Sequence, residues 1–346
     1  MHSQDLDEWL NNNKSAWLVT GAAGFIGSNL CIALIKAGQT VVALDNFATG
    51  HQHNIADIQS VASALPGSNF RFIDGDITDF NTCLAACAGV GIVLHQAALG
   101  SVPRSIATPL ASHSANVDGF INMLQAATQS GIKRFVYASS SSVYGDSAEL
   151  PKVETRTGAV LSPYAATKAI NEVYAGVFQR NYGISCFGLR YFNVFGPRQD
   201  PNGPYAAVIP KWTAALIAGE PLVVNGDGST SRDFCFIDNV VQANLRAALL
   251  PNPPATAQAF NVAFGGRTTL LDLAQGLKSA IAVAMNQPEA SLKSQIEHAP
   301  FRAGDVLHSL ANIEHIQTTL AYKATDSIAQ GLAKTMPWYL KHPERL

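Results

Sequence analysis

Ala16-Trp-Leu-Val-Thr-Gly21-Ala-Ala-Gly24-Phe25-Ile26-Gly27-Ser-Asn-Leu-Cys decides how this chain folds. Strand-forming residues run straight into three glycines spaced GxxGxxG, and an apolar helical pattern follows at once. Each glycine answers a mechanical need. Gly21 permits a tight turn, Gly24 lets backbone approach a pyrophosphate, and Gly27 lets the helix pack on the strand. Phe25 and Ile26 then open a helix whose unpaired N–H groups and partial positive charge suit phosphate. A glycine triplet alone also fits a structural turn. Asp45 decides between them. It ends the next strand, 18 residues after Gly27, where a carboxylate accepts both hydroxyls of an adenosine ribose and repels a 2′-phosphate. Neither neighbour, Leu44 nor Asn46, is basic. Strand, spacing and acid together predict bound NAD rather than NADP.

Outward from that turn, short β-rich runs alternate with helical stretches. Ala16–Thr20 leads into a helix over Phe25–Ala37, and Thr40–Leu44 into an irregular stretch. Phe70–Ile73 precedes a short helix near Phe80–Ala88, and Gly91–His95 a long one through Asn116–Gln129. Arg134–Ala138 precedes Tyr164–Tyr182, and Ile184–Leu189 closes the series. Apolar strands joined by helices predict an α/β fold, a Rossmann-like doubly wound parallel sheet covered on both faces. After Phe192 the elements shorten and proline and glycine increase. The expected division is a NAD-binding domain over 1–192, with 238–264 returning to it, and a smaller mixed α/β domain over 193–346. That second domain belongs across the carboxyl ends of the strands, where open α/β sheets bind ligands.

The 346 residues are 47% apolar and 14% charged, with formal net charge −2. This length suggests roughly two domains. Four Trp and sixteen Phe exclude general disorder. The near-neutral balance gives no field for a polyanion, which argues against nucleic acid. Soluble proteins carry about 25% charged residues, so the deficit points to a large core and a surface hidden between subunits. The acidic start, Met1-His-Ser-Gln-Asp-Leu-Asp-Glu, lacks the order of a signal peptide. No apolar run nears the ~20 residues that span a bilayer. Cys31, Cys83, Cys87, Cys186 and Cys235 read as buried thiols in a reducing compartment. Cys83 and Cys87 lie one helical turn apart without further ligands nearby, so no metal site is expected. A cytoplasmic protein is the expectation.

Asn46 and Gly50, in the loop after Asp45, belong to the expected cofactor site. Asp76 and Ile77 follow the third strand; they bracket an adenine, or Asp76 caps a helix starting near Thr78. Gln96, Ala97 and Ala98 either let a cofactor lie flat or form an ordinary loop. Chemistry is signalled by Tyr164 and Lys168, the only YxxxK pair in the chain. Residues four apart share a helical face, which sets the ammonium beside the phenol. At ~4 Å and an effective dielectric near 20 that charge is worth about 4 kcal/mol. It would draw a phenol from ~10 toward neutrality, before desolvation takes some back. A tyrosinate can remove a proton from a sugar hydroxyl; the same spacing also fits a surface pair. Upstream, Tyr137-Ala-Ser139-Ser140-Ser141-Ser142-Val143-Tyr144-Gly145 places four serines at a strand's carboxyl end. Strand propensity gives no reason for them. They bond a reacting oxygen or form a polar turn.

With Ser162-Pro-Tyr-Ala-Ala-Thr-Lys168 and Leu189-Arg-Tyr191-Phe-Asn193-Val194-Phe-Gly-Pro-Arg198, these motifs resemble the extended short-chain dehydrogenase/reductase family, from about Ser15 to Trp338. Within it the chain is most similar to the UDP-N-acetylglucosamine 4-epimerases of surface-polysaccharide synthesis. That similarity lies in Gly100-Ser101-Val102-Pro-Arg104, Gln199 through Ala207-Val208-Ile-Pro-Lys211-Trp, Asn225-Gly-Asp-Gly, Ser231-Arg232-Asp-Phe234 and Arg302-Ala-Gly-Asp305-Val-Leu-His-Ser309. The resemblance implies that Tyr164 is the base, that Lys168 tunes it and holds the nicotinamide ribose, and that Ser140 bonds the reacting oxygen. Tyr191, Asn193 and Val194 would lie near the nicotinamide and the sugar diphosphate. Arg232 and Arg302 would clamp the diphosphate in bidentate fashion. Asp305 would take uridine's ribose, and Ala207, Val208 and Lys211 the uracil end. Gly100, Ser101, Val102, Arg104, Ser141, Ser142, Gln199 and Asn225 complete the implied sugar-nucleotide site.

Reaction type turns on Ser141 and Ser142. Dehydratases of this family hold Asp and Glu there, and decarboxylating relatives keep the Glu at the second place. Serine cannot supply that chemistry, so a 4-keto sugar has only hydride return as its exit. The implied cycle removes the 4-OH proton with hydride transfer to NAD, swings the sugar about its diphosphate, and returns hydride to the other face. Ser309 leaves room at C2 for an N-acetyl group where a bulky residue would close it. Leu307 departs from the pattern, which carries Arg there. Helices over Ser114–Ser130 and Tyr164–Tyr182 are similar to those forming a four-helix bundle in family homodimers. The alternatives are a 4-epimerase of UDP-N-acetylhexosaminuronates, whose carboxylate would want a cation near Arg104 or Arg198, a UDP-glucose 4-epimerase, or a non-catalytic NAD-sensing module.

Overall fold

The strand ahead of the glycine turn, β1 (Ala16–Thr20), lies inside a seven-stranded sheet. The computed structural model describes residues 3–202, 207–292, 294–301 and 307–345. Besides β1 the sheet holds β2 (Thr40–Asp45), β3 (Asn69–Asp74), β4 (Ile92–His95), β5 (Arg134–Ser140), β6 (Ser185–Tyr191) and a last strand, Gln258–Val262. Their order is Gln258–Val262, β6, β5, β4, β1, β2, β3, and every pairing is parallel. The order reverses between β1 and β4, which opens a crevice at their carboxyl ends.

Both faces are covered, so β1, β2 and β4 are buried almost throughout. Trp17 and Val19 face one core with α1 (Ser3–Asn12), α2 (Phe25–Lys36) and α3 (Gln52–Ala64), while Leu18 faces the other. That second core is built with α4 (Phe80–Cys87), α7 (Gly119–Gln129) and α8 (Pro163–Tyr182). The irregular stretch expected after β2 is instead α3. Its buried face is narrow, Ile55 and Ile58 with Asn54, too short a stripe to stand out among polar neighbours. The long helix expected through Asn116–Gln129 starts earlier. α5 (Val102–Ala107) and α6 (Pro109–His113) come first, and a wide π-turn over Ser114–Asp118 joins α6 to α7.

Beyond Phe192 the chain builds α9 (Val208–Ala218) and small strand pairs, Leu222–Asn225 with Ile296–Ala299 and Ser231–Arg232 with Thr268–Thr269. It also returns to the sheet. α10 (Ile237–Ala248) buries Val240 and Ala243, and Gln258–Val262 pairs with β6. The sequence reading counted six strands; the seventh comes from this returning segment.

Candidate active site

The glycine turn is closely fitted. Gly21 takes φ +67° and donates its N–H to the Leu44 carbonyl at 2.9 Å. A Cβ on Gly27 would lie 2.1 Å from the Gly21 carbonyl oxygen, so only glycine lets α2 start so close to the turn. No side chain caps this end of α2. A cavity of ≈ 720 Å³ runs from here along the carboxyl ends of the strands. Gly21, Gly24, Phe25, Ile26, Gly27, Asp45, Asn46, Asp76, Ile77, Gln96, Ala97 and Ala98 line it, together with Gly100, Tyr191, Asn193 and Val194. Gly50 does not. It packs against Ala23, which a Cβ would meet at 2.7 Å, and that close approach is what the position serves.

Asp45 is held by backbone: Oδ2 accepts from Ala23 N–H at 2.9 Å and Oδ1 from Phe47 N–H at 2.7 Å. Burial pushes its carboxyl up despite these bonds. Each oxygen keeps a second lone pair for a hydroxyl. Of the two readings of Asp76, the cap falls to Asp79, whose carboxylate accepts from Asn81 and Thr82 N–H at the start of α4. Asp76 accepts from Asn46 Nδ2 at 2.7 Å on the cavity wall and, at its other oxygen, from Thr78 N–H at 2.8 Å in the turn before the helix.

At the other end, Ser162 caps α8 and Tyr164 N–H donates to Ser105 Oγ at 3.0 Å, docking α5 on this helix. Ser140, Tyr164 and Lys168 converge on the same cavity. The spacing sets the ammonium beside the phenol and draws it toward neutrality, before desolvation takes some back. In the structure desolvation prevails. Lys168 Nζ donates to the Ala138 carbonyl at 2.8 Å and lies 5.9 Å from the centre of the Tyr164 ring. Burial pushes the Lys168 amine down to about 8 and raises the Tyr164 phenol, partly offset by a hydrogen bond with Ser140. Removing both groups from water outweighs their mutual attraction. Ser140 Oγ also accepts from Ser142 N–H at 3.2 Å and from Ser142 Oγ at 2.9 Å.

A second cavity, ≈ 900 Å³, adjoins the first at Asn193, which lines both. Ala207, Val208, Lys211, Asn225 and Arg232 line it, as does Leu307, which departs from the family pattern, and so do Trp212 and Phe301, whose part the sequence did not signal. Arg232 Nη1 donates to the Ser231 and Leu307 carbonyls, both at 3.1 Å. Ser101, Val102, Arg104, Ser141, Ser142, Gln199 and Ser309 line neither cavity. Several are turned to backbone duty: Ser101 caps α5 by accepting from Arg104 N–H, and the Gln199 amide donates to Val194 O at 3.1 Å. Ser309 N–H donates to Ser231 O at 3.0 Å. Arg302 and Asp305 lie outside the described residues. The sequence reading also missed Asp233, fully buried beside Arg232. Its carboxylate accepts N–H bonds from Phe264, Gly265 and Ala311, and burial raises it to about 6. The only signal was an acid set in an apolar tract.

Residues 17–263 match the NAD dependent epimerase/dehydratase family. The chain belongs to that family. A UDP-glucose 4-epimerase of Mycolicibacterium smegmatis is 36% identical over 324 residues, covering 93% of this chain and 97% of that protein. A UDP-N-acetylglucosamine 4-epimerase from Methanobrevibacter ruminantium, solved with UDP-N-acetylmuramic acid, superposes with TM-score 0.84 at 34% identity, over 95% of this chain and 99% of that one. A UDP-glucuronic acid 4-epimerase variant from Bacillus cereus, solved with NAD, gives TM-score 0.80 at 28% identity, over 94% and 99%. The cofactor of this epimerase/dehydratase family is NAD, and the cavity fits it. An added Cβ would clash at Gly21 and Gly27 and sit tightly at Gly24, and α2 presents an uncapped amino end. Around Asp45 and Asp76 no Lys or Arg among the described residues lines the wall, as a 2′-phosphate would require.

Proposed function

We propose that the protein is a NAD-dependent UDP-sugar 4-epimerase that interconverts UDP-GlcNAc and UDP-GalNAc, a supplier of precursors for surface polysaccharide. The observation that carries this reading is the convergence of Ser140, Tyr164 and Lys168 on a cofactor-sized cavity that meets a second cavity at Asn193. NAD, when bound, supplies a reversible hydride acceptor. Tyr164 takes the proton of the sugar 4-OH as that carbon is oxidised and returns it after the sugar has turned. Ser140 holds the reacting oxygen, and the Lys168 amine, poised at about 8, keeps a positive charge near the phenol at neutral pH. Ser141 and Ser142 carry no acid to drive elimination, which leaves reduction as the outlet for the keto sugar. Lys211 and Arg232 give the second cavity the cations a diphosphate needs. The small Ser309 supports the N-acetyl preference through the family resemblance alone, since it lines neither cavity, while the name of the mycobacterial relative supports UDP-glucose as the rival substrate.

We also propose an oligomeric state from the surface. α8 exposes Val173 at 66%, with Tyr174 and Val177, and α5 and α6, which pack on α8, expose Ile106 and Leu110. We read these as the seam of a homodimer in which Ser114–Ser130 and α8 of two copies form a four-helix bundle.

The test is to incubate the protein separately with UDP-GlcNAc, UDP-glucose and UDP-N-acetylglucosaminuronate and follow epimer ratios by NMR. UDP-GlcNAc should equilibrate fastest, and Tyr164→Phe should lose turnover while keeping NAD and UDP-sugar binding. Ser309→Tyr should cost activity on acetylated sugars far more than on UDP-glucose; equal losses refute the argument from Ser309. Faster turnover of the uronate would reassign the substrate, and no turnover of any would remove the epimerase reading.

A further inference from the structure

The end of β5 is held from behind as well as from the cavity. Two consecutive residues of this strand are tied to α8 by hydrogen bonds, and the next shares its cavity. The Ala138 carbonyl accepts from Lys168 Nζ at 2.8 Å, Ser139 Oγ donates to Glu172 Oε1 at 2.6 Å, and Ser140 lines the same cavity as Tyr164, whose phenol pKa its hydroxyl lowers. Glu172 follows Lys168 by one helical turn and Tyr164 by two, so one stripe of α8 carries all three partners. Glu172 is itself fixed. Arg190 Nε donates to its Oε1 at 2.9 Å and Arg190 Nη2 to its Oε2 at 2.7 Å. Arg190 is the register partner of Ser139 across β5 and β6, so the pair closes a triangle between two strands and a helix. The remaining arm of Arg190 donates to the Glu154 carbonyl at 2.9 Å, and its guanidinium lies 4.9 Å from the centre of the Tyr144 ring.

Only 6% of the Arg190 side chain and 18% of the Glu172 side chain reach solvent, and neither residue lines either cavity. A buried ion pair is a poor device for stability alone, since apolar residues of similar volume often do as well. It does fix geometry, because two parallel N–H···O bonds allow one orientation. We infer that Glu172 and Arg190, acting through Ser139, are positioning residues that set the Ser140 hydroxyl opposite the Tyr164 phenol. This rests on the reading of Tyr164 and Ser140 as the catalytic pair. The chemical logic is local. If Ser139 loses its tether, the next residue drifts, the lowering of the phenol pKa by the Ser140 hydroxyl weakens, and proton transfer slows while sugar-nucleotide contacts stay in place.

Ser139→Ala removes the tether and leaves the ion pair whole. On the NAD-loaded enzyme it should lower kcat by about tenfold with KM changed by less than about twofold, because misplacement acts on the chemical step. The limb of the kcat–pH profile that reports the phenol should move to higher pH, and Ser139→Thr, which keeps the hydroxyl, should restore both. Glu172→Gln, which keeps size and loses charge, is the second variant, read by the same two measurements if Ser139→Ala folds poorly. An unchanged kcat, or a pH limb that stays put, alongside an inactive Tyr164→Phe overturns the positioning role alone. An active Tyr164→Phe overturns the catalytic reading beneath it.

Discussion

Lys168 shows how far a single spacing can be read. Its position four residues after Tyr164 is legible in the sequence, and the two do reach the same cavity. Where its ammonium goes is not legible, because the Ala138 carbonyl that takes it lies 30 residues away and is brought there by the packing of α8 on β5. Burial lowers the amine from an ordinary 10.5 to about 8. Between those values the unfolded chain holds a proton that the folded chain lacks, so this residue makes stability rise with pH from about 8 to 10.5. Below 8 its cost is constant. At about 1.4 kcal/mol per tenfold, less about 1 kcal/mol for the hydrogen bond lost, that cost is on the order of 2 kcal/mol. Lys168→Met should therefore raise Tm at pH 7 and flatten the slope above pH 8, while abolishing turnover. Thermal unfolding across pH checks the sign, and a variant that melts lower at pH 7 contradicts it.

Elements were legible where period and punctuation agreed. The β1–glycine–α2 unit is such a case: the strand run, the triplet and the apolar helix each point to one geometry. Gly27→Ala should place a methyl 2.1 Å from the Gly21 carbonyl and force α2 away from the turn. Overpacking of this kind costs about 1–3 kcal/mol, and NAD affinity should fall together with Tm, as a thermal-shift titration with NAD would report. Loss of Tm with unaltered affinity would separate the turn from cofactor binding. α3 was missed because its buried stripe is only Asn54, Ile55 and Ile58. The backbone bonds of Ser101 and Gln199 were not legible because a polar side chain near a site can equally serve backbone, and only the fold shows those partners. Asp233 escaped for a related reason: its partners are N–H groups from 31, 32 and 78 residues away.

For the whole molecule, the low charge content predicts hidden surface, and α5, α6 and α8, which pack together, expose Ile106, Leu110 and Val173. Leu110 is 85% exposed and Val173 66%, an unusual presentation for large aliphatic groups in a lone molecule. Sedimentation equilibrium should give the mass of two chains for the parent and one for Val173→Glu, with far-UV circular dichroism unchanged. A parent that sediments as one chain rules out the bundle.

The strand Gln258–Val262 borders β6 although more than sixty residues separate them in sequence. During synthesis, β6 must wait with its hydrogen-bonding edge bare until that late segment leaves the ribosome. A fragment stopping near Phe192 would keep the edge bare permanently. Such a piece should bind its own kind edge to edge and precipitate, so the nucleotide half of this chain is not a module that can be cut out and lent to another protein.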